Sequence, residues 1–272
     1  MRSRASVRKP SALLTKRGRG RSKRPLAARR PRAGPGTAHS RDTRVIPLRD
    51  DNPVRGTPVV NYTLIGLCVA TFLWQLLLGP EGGARAVYKL GVIPAVLLRD
   101  AELPPELGAV PPVLSILTSM FLHGGWMHLI GNMLYLWIFG DNIEEAMGRI
   151  RYLLFYVICG AVAALSQALP DTSSQIPMIG ASGAISGVLG AYLMLFPHAK
   201  VLTLIPLGLA TQVVRIKAIW VLLLWFVLQL VSNLGAGASG VAFSAHIGGF
   251  VAGAALIGLF KHRWVPFGFG RR

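Results

Sequence analysis

The sequence has few acidic residues and few cysteines. Its 272 residues include 11 Asp or Glu against 29 Lys or Arg, which gives a net charge of +18. The two cysteines, Cys68 and Cys159, both lie in apolar runs, so the spacing fits neither a disulfide framework nor a metal site. With 52% hydrophobic residues and a mean hydropathy of +0.50, the chain is too apolar for one ordinary soluble domain. The composition predicts a polytopic membrane protein, for which we expect no metal and no cofactor.

Acidic and aromatic residues are almost missing from residues 1–58, which are rich in Arg, Lys, Pro, Ser and Gly. Such a segment cannot bury enough apolar surface to offset its ordering entropy, so we predict a disordered basic tail. Three roles stay open for it: an anchor on anionic lipid, an organelle transit peptide, and a nucleic-acid-binding arm. The lipid anchor is favoured over the other two roles. The prolines would weaken the amphipathic helix of a transit peptide, and no aromatic residues alternate with the charges, as they would in a nucleic-acid-binding arm. No apolar core precedes a small-residue cleavage site, which excludes a secretory signal.

Six apolar stretches within residues 59–262 predict an all-α, six-helix transmembrane bundle, followed by a short cytoplasmic tail at 263–272. The stretches are 62–78, 126–140, 152–169, 180–196, 218–234 and 241–260. The segments 81–112, 141–149 and 197–217 are interpreted as connectors. Basic residues are missing from the connectors before the fourth and sixth stretches, so the positive-inside rule predicts that both termini are cytoplasmic. The second, fourth and sixth helices then enter from the outer face in parallel, and we expect a bacterial cell membrane.

Polar side chains are rare in these stretches, and each is a functional hypothesis because it is costly at membrane depth. The second stretch follows His123 and contains His128 and Asn132, which are four residues apart and share a helix face. At ~1.5 Å per residue, Ser182 of the fourth and His246 of the sixth lie within roughly 10 Å of their outer helix ends. A serine, a histidine and a His/Asn pair at one depth are the minimum for a base-activated nucleophile with oxyanion donors.

Small residues recur every four positions in two of the stretches. The spacing predicts close backbone approach between the fourth and sixth helices. The residues concerned are Gly183, Gly187 and Ala191 in one stretch, and Ala245, Gly249 and Gly253 in the other. Ser186 is interpreted as a packing residue that bonds back to its own helix backbone.

The motifs around these residues resemble those of rhomboid intramembrane serine proteases. There are four such motifs, within a similarity that covers about residues 46–261. They run from His123 through His128 to Asn132, from Gly140 through Glu144 and Glu145 to Gly148 and Arg151, from Gly180 to Gly183, and from Ala245 to Gly249. The resemblance implies the following roles in catalysis or support: Ser182 as nucleophile; His246 as general base and acid; His128, Asn132 and the Ser182 N–H as oxyanion donors; His123 at the outer entry of the second helix; and Gly180, Gly183 and Gly249 as supporting residues.

The resemblance also implies a reaction: hydrolysis of a transmembrane segment of a single-pass or multi-pass membrane protein near its outer end. An aromatic residue usually supports the catalytic histidine in this family, and Ser186 stands at that position here. The loop 235–240 is predicted to be a lid beside His246. The alternative functions are a catalytically idle membrane-protein binder of the same fold and a small transporter, for which no inverted repeat is present.

Overall fold

The computed structural model describes residues 46–107, 110–207, 210–235 and 242–270. Its helices and strands, in chain order, are β1 (Ile46–Asp50), α1 (Val59–Leu77), α2 (Gly79–Leu90), α3 (Pro94–Leu98), α4 (Pro112–Ser119), α5 (Trp126–Met147), α6 (Arg149–Ala168), α7 (Ser182–Leu195), β2 (Lys200–Leu207), β3 (Ala210–Lys217), α8 (Ala218–Gly235) and α9 (Phe243–Phe260). Short 3-10 turns lie at Pro105–Leu107, Leu169–Asp171 and Gly268–Gly270.

Each of the six predicted apolar stretches contains a helix. The 81–112 connection holds the short helix α3 and all but the first two residues of α2. The connector predicted at 141–149 is wrong for residues 141–147, because α5 continues to Met147 and ends at Gly148, whose φ is +82°. No proline interrupts α5 before Gly148, and the buried Glu144 near the helix end has backbone partners in α1 that compensate its charge.

Three helices in the described ranges are long and apolar enough to cross a membrane: Val59–Leu77, Arg149–Asp171 and Phe243–Phe260. Two further apolar helices, Ser182–Leu195 and Ala218–Asn233, are shorter. The last turns of α5 carry acidic side chains, which set it apart from these five. The chain is therefore a mostly helical protein with membrane-spanning helices, and the count of six spans stays a prediction.

A small antiparallel sheet corrects the all-α prediction. β2 and β3 form a hairpin within the predicted connector 197–217, and β1 pairs with β2 along Ile46 to Asp50. The hairpin is rich in Val, Ile and Thr, which favour strands. The predicted disordered tail, residues 1–58, is wrong for residues 46–50, which form β1. The backbone hydrogen bonds of β1 to β2 offset the entropy cost of ordering this segment. Residues 1–45 of that tail lie outside the described ranges.

α7 lies at the centre of the bundle, packed against α5, α6, α8 and α9. All of its residues from Gly183 to Leu193 are buried. A Cβ added to Gly249 would overlap the carbonyl oxygen of Gly183, and one added to Gly253 would overlap that of Gly187. The small residues therefore bring the backbones of α7 and α9 into direct contact, which confirms the predicted close approach.

The end of the bundle that holds the sheet is tied together by a buried carboxylate. Glu144, 3% exposed, accepts hydrogen bonds from the backbone N–H groups of Val60 (3.1 Å) and Asn61 (2.7 Å). These N–H groups belong to the first turn of α1 and have no partner within their own helix. Glu144 of α5 therefore caps α1, and its negative charge is favourable at that helix end.

Candidate active site

A cavity of about 900 Å³ opens at the N-terminal end of α7. Most of its lining comes from α5, α7, α8 and α9 and from the segment that precedes α7. Ser182, His246, His128 and Asn132 all line it. Three separate helices therefore bring the four predicted residues to one site. The predicted lid falls mostly on residues 236–240, which lie outside the described ranges.

Gly180 shapes the approach to Ser182. Its φ of +123° is a conformation that L side chains rarely adopt, and its N–H donates to the Ser119 carbonyl oxygen at 2.9 Å. A Cβ at Gly180 would lie 2.8 Å from Cε1 and Nε2 of His128, and 3.7 Å from Oγ of Ser182. The His128 ring and the serine hydroxyl thus flank the same point of the backbone. Because α7 begins at Ser182, its unpaired N–H groups and positive helix end also lie here.

The hydrogen bond of His128 indicates which of its nitrogens carries the proton. The Gly124 N–H donates to Nδ1 at 3.3 Å, so the neutral ring has its hydrogen on Nε2. Nε2 is also one of the two ring atoms nearest to Gly180. His128 therefore presents a hydrogen-bond donor beside Ser182.

Asn132 follows His128 by one turn of α5 and faces the same cavity. Its side chain is 8% exposed, and its Nδ2 has no hydrogen-bond partner within the described part of the chain. A buried donor left unpaired costs about 1–3 kcal/mol, which a folded protein rarely tolerates without a functional reason. The free amide is a second donor that can bind an oxyanion.

His123 does not line the cavity. It is 1% exposed, and its ring packs edge-on against His128 with centroids 5.2 Å apart. Its backbone N–H donates to Oε1 of Gln75 at 3.0 Å, and its carbonyl oxygen accepts from Nε2 of the same side chain at 3.3 Å. Gln75 of α1 thus fixes the chain just before α5, and His123 supports the His128 ring from behind.

His246 is held by two residues of α8 that the sequence interpretation did not single out. Its Nδ1 lies 2.7 Å from Oε1 of Gln229, and its ring lies 5.9 Å from that of Trp225. Among the described residues, no hydrogen bond joins His246 to Ser182 Oγ. The sequence could have indicated Gln229, because it is an amide side chain in the middle of an otherwise apolar stretch.

Ser186 has the packing role that was predicted for it. Its hydroxyl donates to the Ser182 carbonyl oxygen, one turn earlier in α7, at 2.6 Å, and the side chain is fully buried. The hydrogen of this hydroxyl is therefore held by the helix backbone, and in the described part of the chain no hydrogen bond joins Ser186 to His246. In the described part of the chain, no three His, Cys, Asp or Glu side chains are grouped so that they could hold a metal ion.

Comparison with known proteins gives a consistent result. The family model described as "Rhomboid domain" matches residues 112–263, more than half of the chain. RHOMBOID-like protein 5 of Arabidopsis thaliana is 30% identical over 75% of this chain and 59% of its own length. Rhomboid protein 1, mitochondrial, of Saccharomyces cerevisiae is 36% identical over 52% of this chain and 38% of its own. Rhomboid protease GluP of Bacillus subtilis is 29% identical over 76% of this chain and 36% of its own.

The chain thus spans less than two thirds of the length of these curated relatives. They come from a plant, a yeast and a bacterium, and further relatives are mitochondrial. This spread does not support the expectation that the membrane is bacterial. The match of the domain and the length of the apolar helices together lead to one conclusion: this chain is an integral membrane protein of the rhomboid family.

Proposed function

We propose that this chain is an intramembrane serine endopeptidase that cleaves transmembrane segments of other membrane proteins near their outer ends. The observation that carries the proposal is the shared cavity, which a serine, two histidines and an unpaired asparagine amide line together. The relative GluP of Bacillus subtilis is a rhomboid protease, which supports the proposal. The proposal includes six spans, cytoplasmic termini and a basic tail held on anionic lipid.

Each residue has a defined role in the proposed reaction. Ser182 Oγ attacks the carbonyl carbon of the scissile peptide bond while His246 Nε2 takes its proton. His128 Nε2–H, Asn132 Nδ2–H and the Ser182 N–H bind the oxyanion, each such donor being worth about 10²–10³ in rate. The C–N bond then breaks as His246 returns the proton to the leaving amine. A water molecule then attacks the acyl carbon while His246 takes one of its protons. The bond from that carbon to Ser182 Oγ breaks, His246 returns the proton to Oγ, and the acid product leaves.

The alternative is a catalytically idle member of the family that binds membrane proteins. The lack of a hydrogen bond between Ser182 and His246 among the described residues favours this alternative. However, catalytic hydrogen bonds are often long without substrate and shorten only in its complex. Covalent labelling of the serine separates the two functions, because an idle binder has no activated nucleophile.

The test is labelling of the purified protein by a fluorophosphonate probe, with Ser182→Ala and His246→Ala as the informative variants. We expect the wild type to be labelled and both variants to lose labelling. Ser186→Ala is the matched control, because it removes a serine hydroxyl of the same helix that is already bonded to the backbone. Labelling of the wild type that persists in Ser182→Ala would refute the proposal, as would a wild type that is never labelled.

Cleavage is tested separately by co-expression with a panel of single-pass membrane proteins. We expect at least one substrate to be cut by the wild type and left intact by His246→Ala. A site of cleavage in a soluble domain, far from the membrane, would contradict the proposed substrate class.

A further inference from the structure

One face of α8 contacts the first turns of α9 through polar and aromatic side chains. Trp225, Gln229 and Asn233 are spaced four residues apart and therefore lie on the same side of the helix. Trp225 packs against the His246 ring, Gln229 bonds to Nδ1 of that ring, and Asn233 Oδ1 accepts from Ser244 Oγ at 2.9 Å. Other positions of α8, such as Leu224 and Leu228, present large apolar side chains outward.

The bond between Gln229 and His246 determines where the imidazole proton lies. An amide oxygen can only accept, so the Nδ1 that faces Oε1 at 2.7 Å must carry the hydrogen. The neutral ring then has its lone pair on Nε2, the nitrogen that a base must direct at the serine hydroxyl. With the opposite tautomer, Nε2 would carry a hydrogen and could not accept the proton of Ser182.

We propose that Gln229 is a positioning residue that fixes the tautomer and the orientation of His246, so that Nε2 is the basic nitrogen. This inference rests on the proposed protease function and names a third member of its catalytic arrangement. Gln229 acts through His246 and does not touch the reacting atoms. In a serine protease triad, a carboxylate holds the base in this way, by accepting a hydrogen bond from its other ring nitrogen.

An amide in place of a carboxylate agrees with the location of the site. A charged residue in the middle of an apolar membrane helix is costly, whereas an amide supplies the same acceptor without a charge. The amide gives up part of the stabilisation that a carboxylate would give to the imidazolium. The Trp225 ring, tilted against that of His246, adds a packing contact and packs in turn against Phe250 of α9, 6.1 Å away.

The test compares two isosteric replacements. Gln229→Met keeps the length of the side chain and removes the acceptor, so kcat should fall about 10- to 100-fold, the loss typical of such orienting partners, with little change in KM. Gln229→Glu keeps the acceptor and should restore much of kcat, with the acidic limb of the pH–rate profile moved to higher pH. Leu228→Met, at an outward-facing position of the same helix, is the control and should leave kcat unchanged.

A measurement without turnover separates this inference from the proposed function. In a Ser182→Ala background, ¹⁵N NMR of labelled histidine, assigned with His246→Ala, should show the Nδ1–H tautomer. Adding Gln229→Met should shift His246 toward the Nε2–H form. If the tautomer and kcat are unchanged in Gln229→Met while Ser182→Ala is inactive, the positioning role is refuted and the protease function stands. If the wild type neither labels nor cleaves, both are refuted.

Discussion

Replacing Gly253 by alanine should force α7 and α9 apart. A Cβ at this position would overlap the Gly187 carbonyl oxygen and would lie 2.5 Å from its carbonyl carbon and 2.6 Å from its Cα. Carbon atoms in ordinary contact are about 3.5–4.0 Å apart, so the two backbones must separate by about 1 Å. The overlapped atoms belong to the backbone and cannot turn aside as a side chain could.

The size of the effect follows from two opposing contributions. Overpacking against backbone costs about 3 kcal/mol, the upper part of the usual range, while alanine gains about 1 kcal/mol over glycine within a helix. The net loss of about 2 kcal/mol should lower Tm by about 4–8 °C in a domain of this size. Ser182 and His246 lie on the two separated helices, and a displacement of about 1 Å can cost about 10²-fold in rate.

The assay uses the two cysteines of the protein. Cys68 and Cys159 are free and fully buried, so a thiol-reactive dye should label them only as the protein unfolds. The control is Gly258→Ala on the same helix, because its added Cβ would make an ordinary contact of 3.5 Å with Phe267. Gly258→Ala should unfold at or slightly above the wild-type temperature. Equal unfolding temperatures for the two variants would refute the assignment of close backbone contact to Gly253.

Three further predictions concern other parts of the chain. Gly180→Ala should reduce serine labelling more than tenfold, because a strained φ costs about 1–3 kcal/mol and the new Cβ displaces the His128 ring; labelling at the wild-type rate would contradict this. Glu144→Ala should lower the stability by about 2–4 kcal/mol in the thiol-dye assay, because it leaves two N–H groups of α1 unpaired, and Glu145→Ala, which loses one exposed hydrogen bond, should cost less. Burial raises the pKa of Asp50 from 3.8 to about 6, against the opposing hydrogen bond from Tyr192. The folded state therefore retains a proton that the unfolded state loses, so stability should fall as the pH rises from about 4 to about 6. Asp50→Asn should flatten this part of a Tm-against-pH curve.

Local pattern was enough to predict the helices and their closest contact. Apolar runs bounded by Gly, Pro and charged residues give helices because each helix satisfies its own backbone in an apolar medium. The four-residue spacing of Gly183 and Gly187, and of Gly249 and Gly253, predicted the contact between α7 and α9 because such a ridge needs no knowledge of the rest of the fold. The return of the Ser186 hydroxyl to its own helix is equally local.

The sheet depends on contacts that are distant in sequence. Ile46 pairs with Leu204 and Asp50 with Val201, so the order of β1 depends on a strand about 150 residues further along. The composition of the basic segment around β1 predicts disorder, because β2, the strand that stabilises β1, lies elsewhere in the sequence. The cap of α1 by Glu144 was missed for the same reason.

The contacts that hold His246 depend both on local sequence pattern and on packing between separate helices. The amide of Gln229 is visible in the sequence as a polar residue in an apolar helix, but its partner could have been any polar group at that depth. The resemblance to rhomboid proteases implied a missing contact: Ser186 stands where the family usually has an aromatic residue against the histidine, and its hydroxyl bonds to its own helix backbone. In the structure the contacts to the His246 ring come from α8, through the hydrogen bond of Gln229 and the tilted ring of Trp225. Because Ser182 and the residues that hold the His246 ring lie on different helices, a shift of α8 relative to α9 would release the His246 ring without moving Ser182.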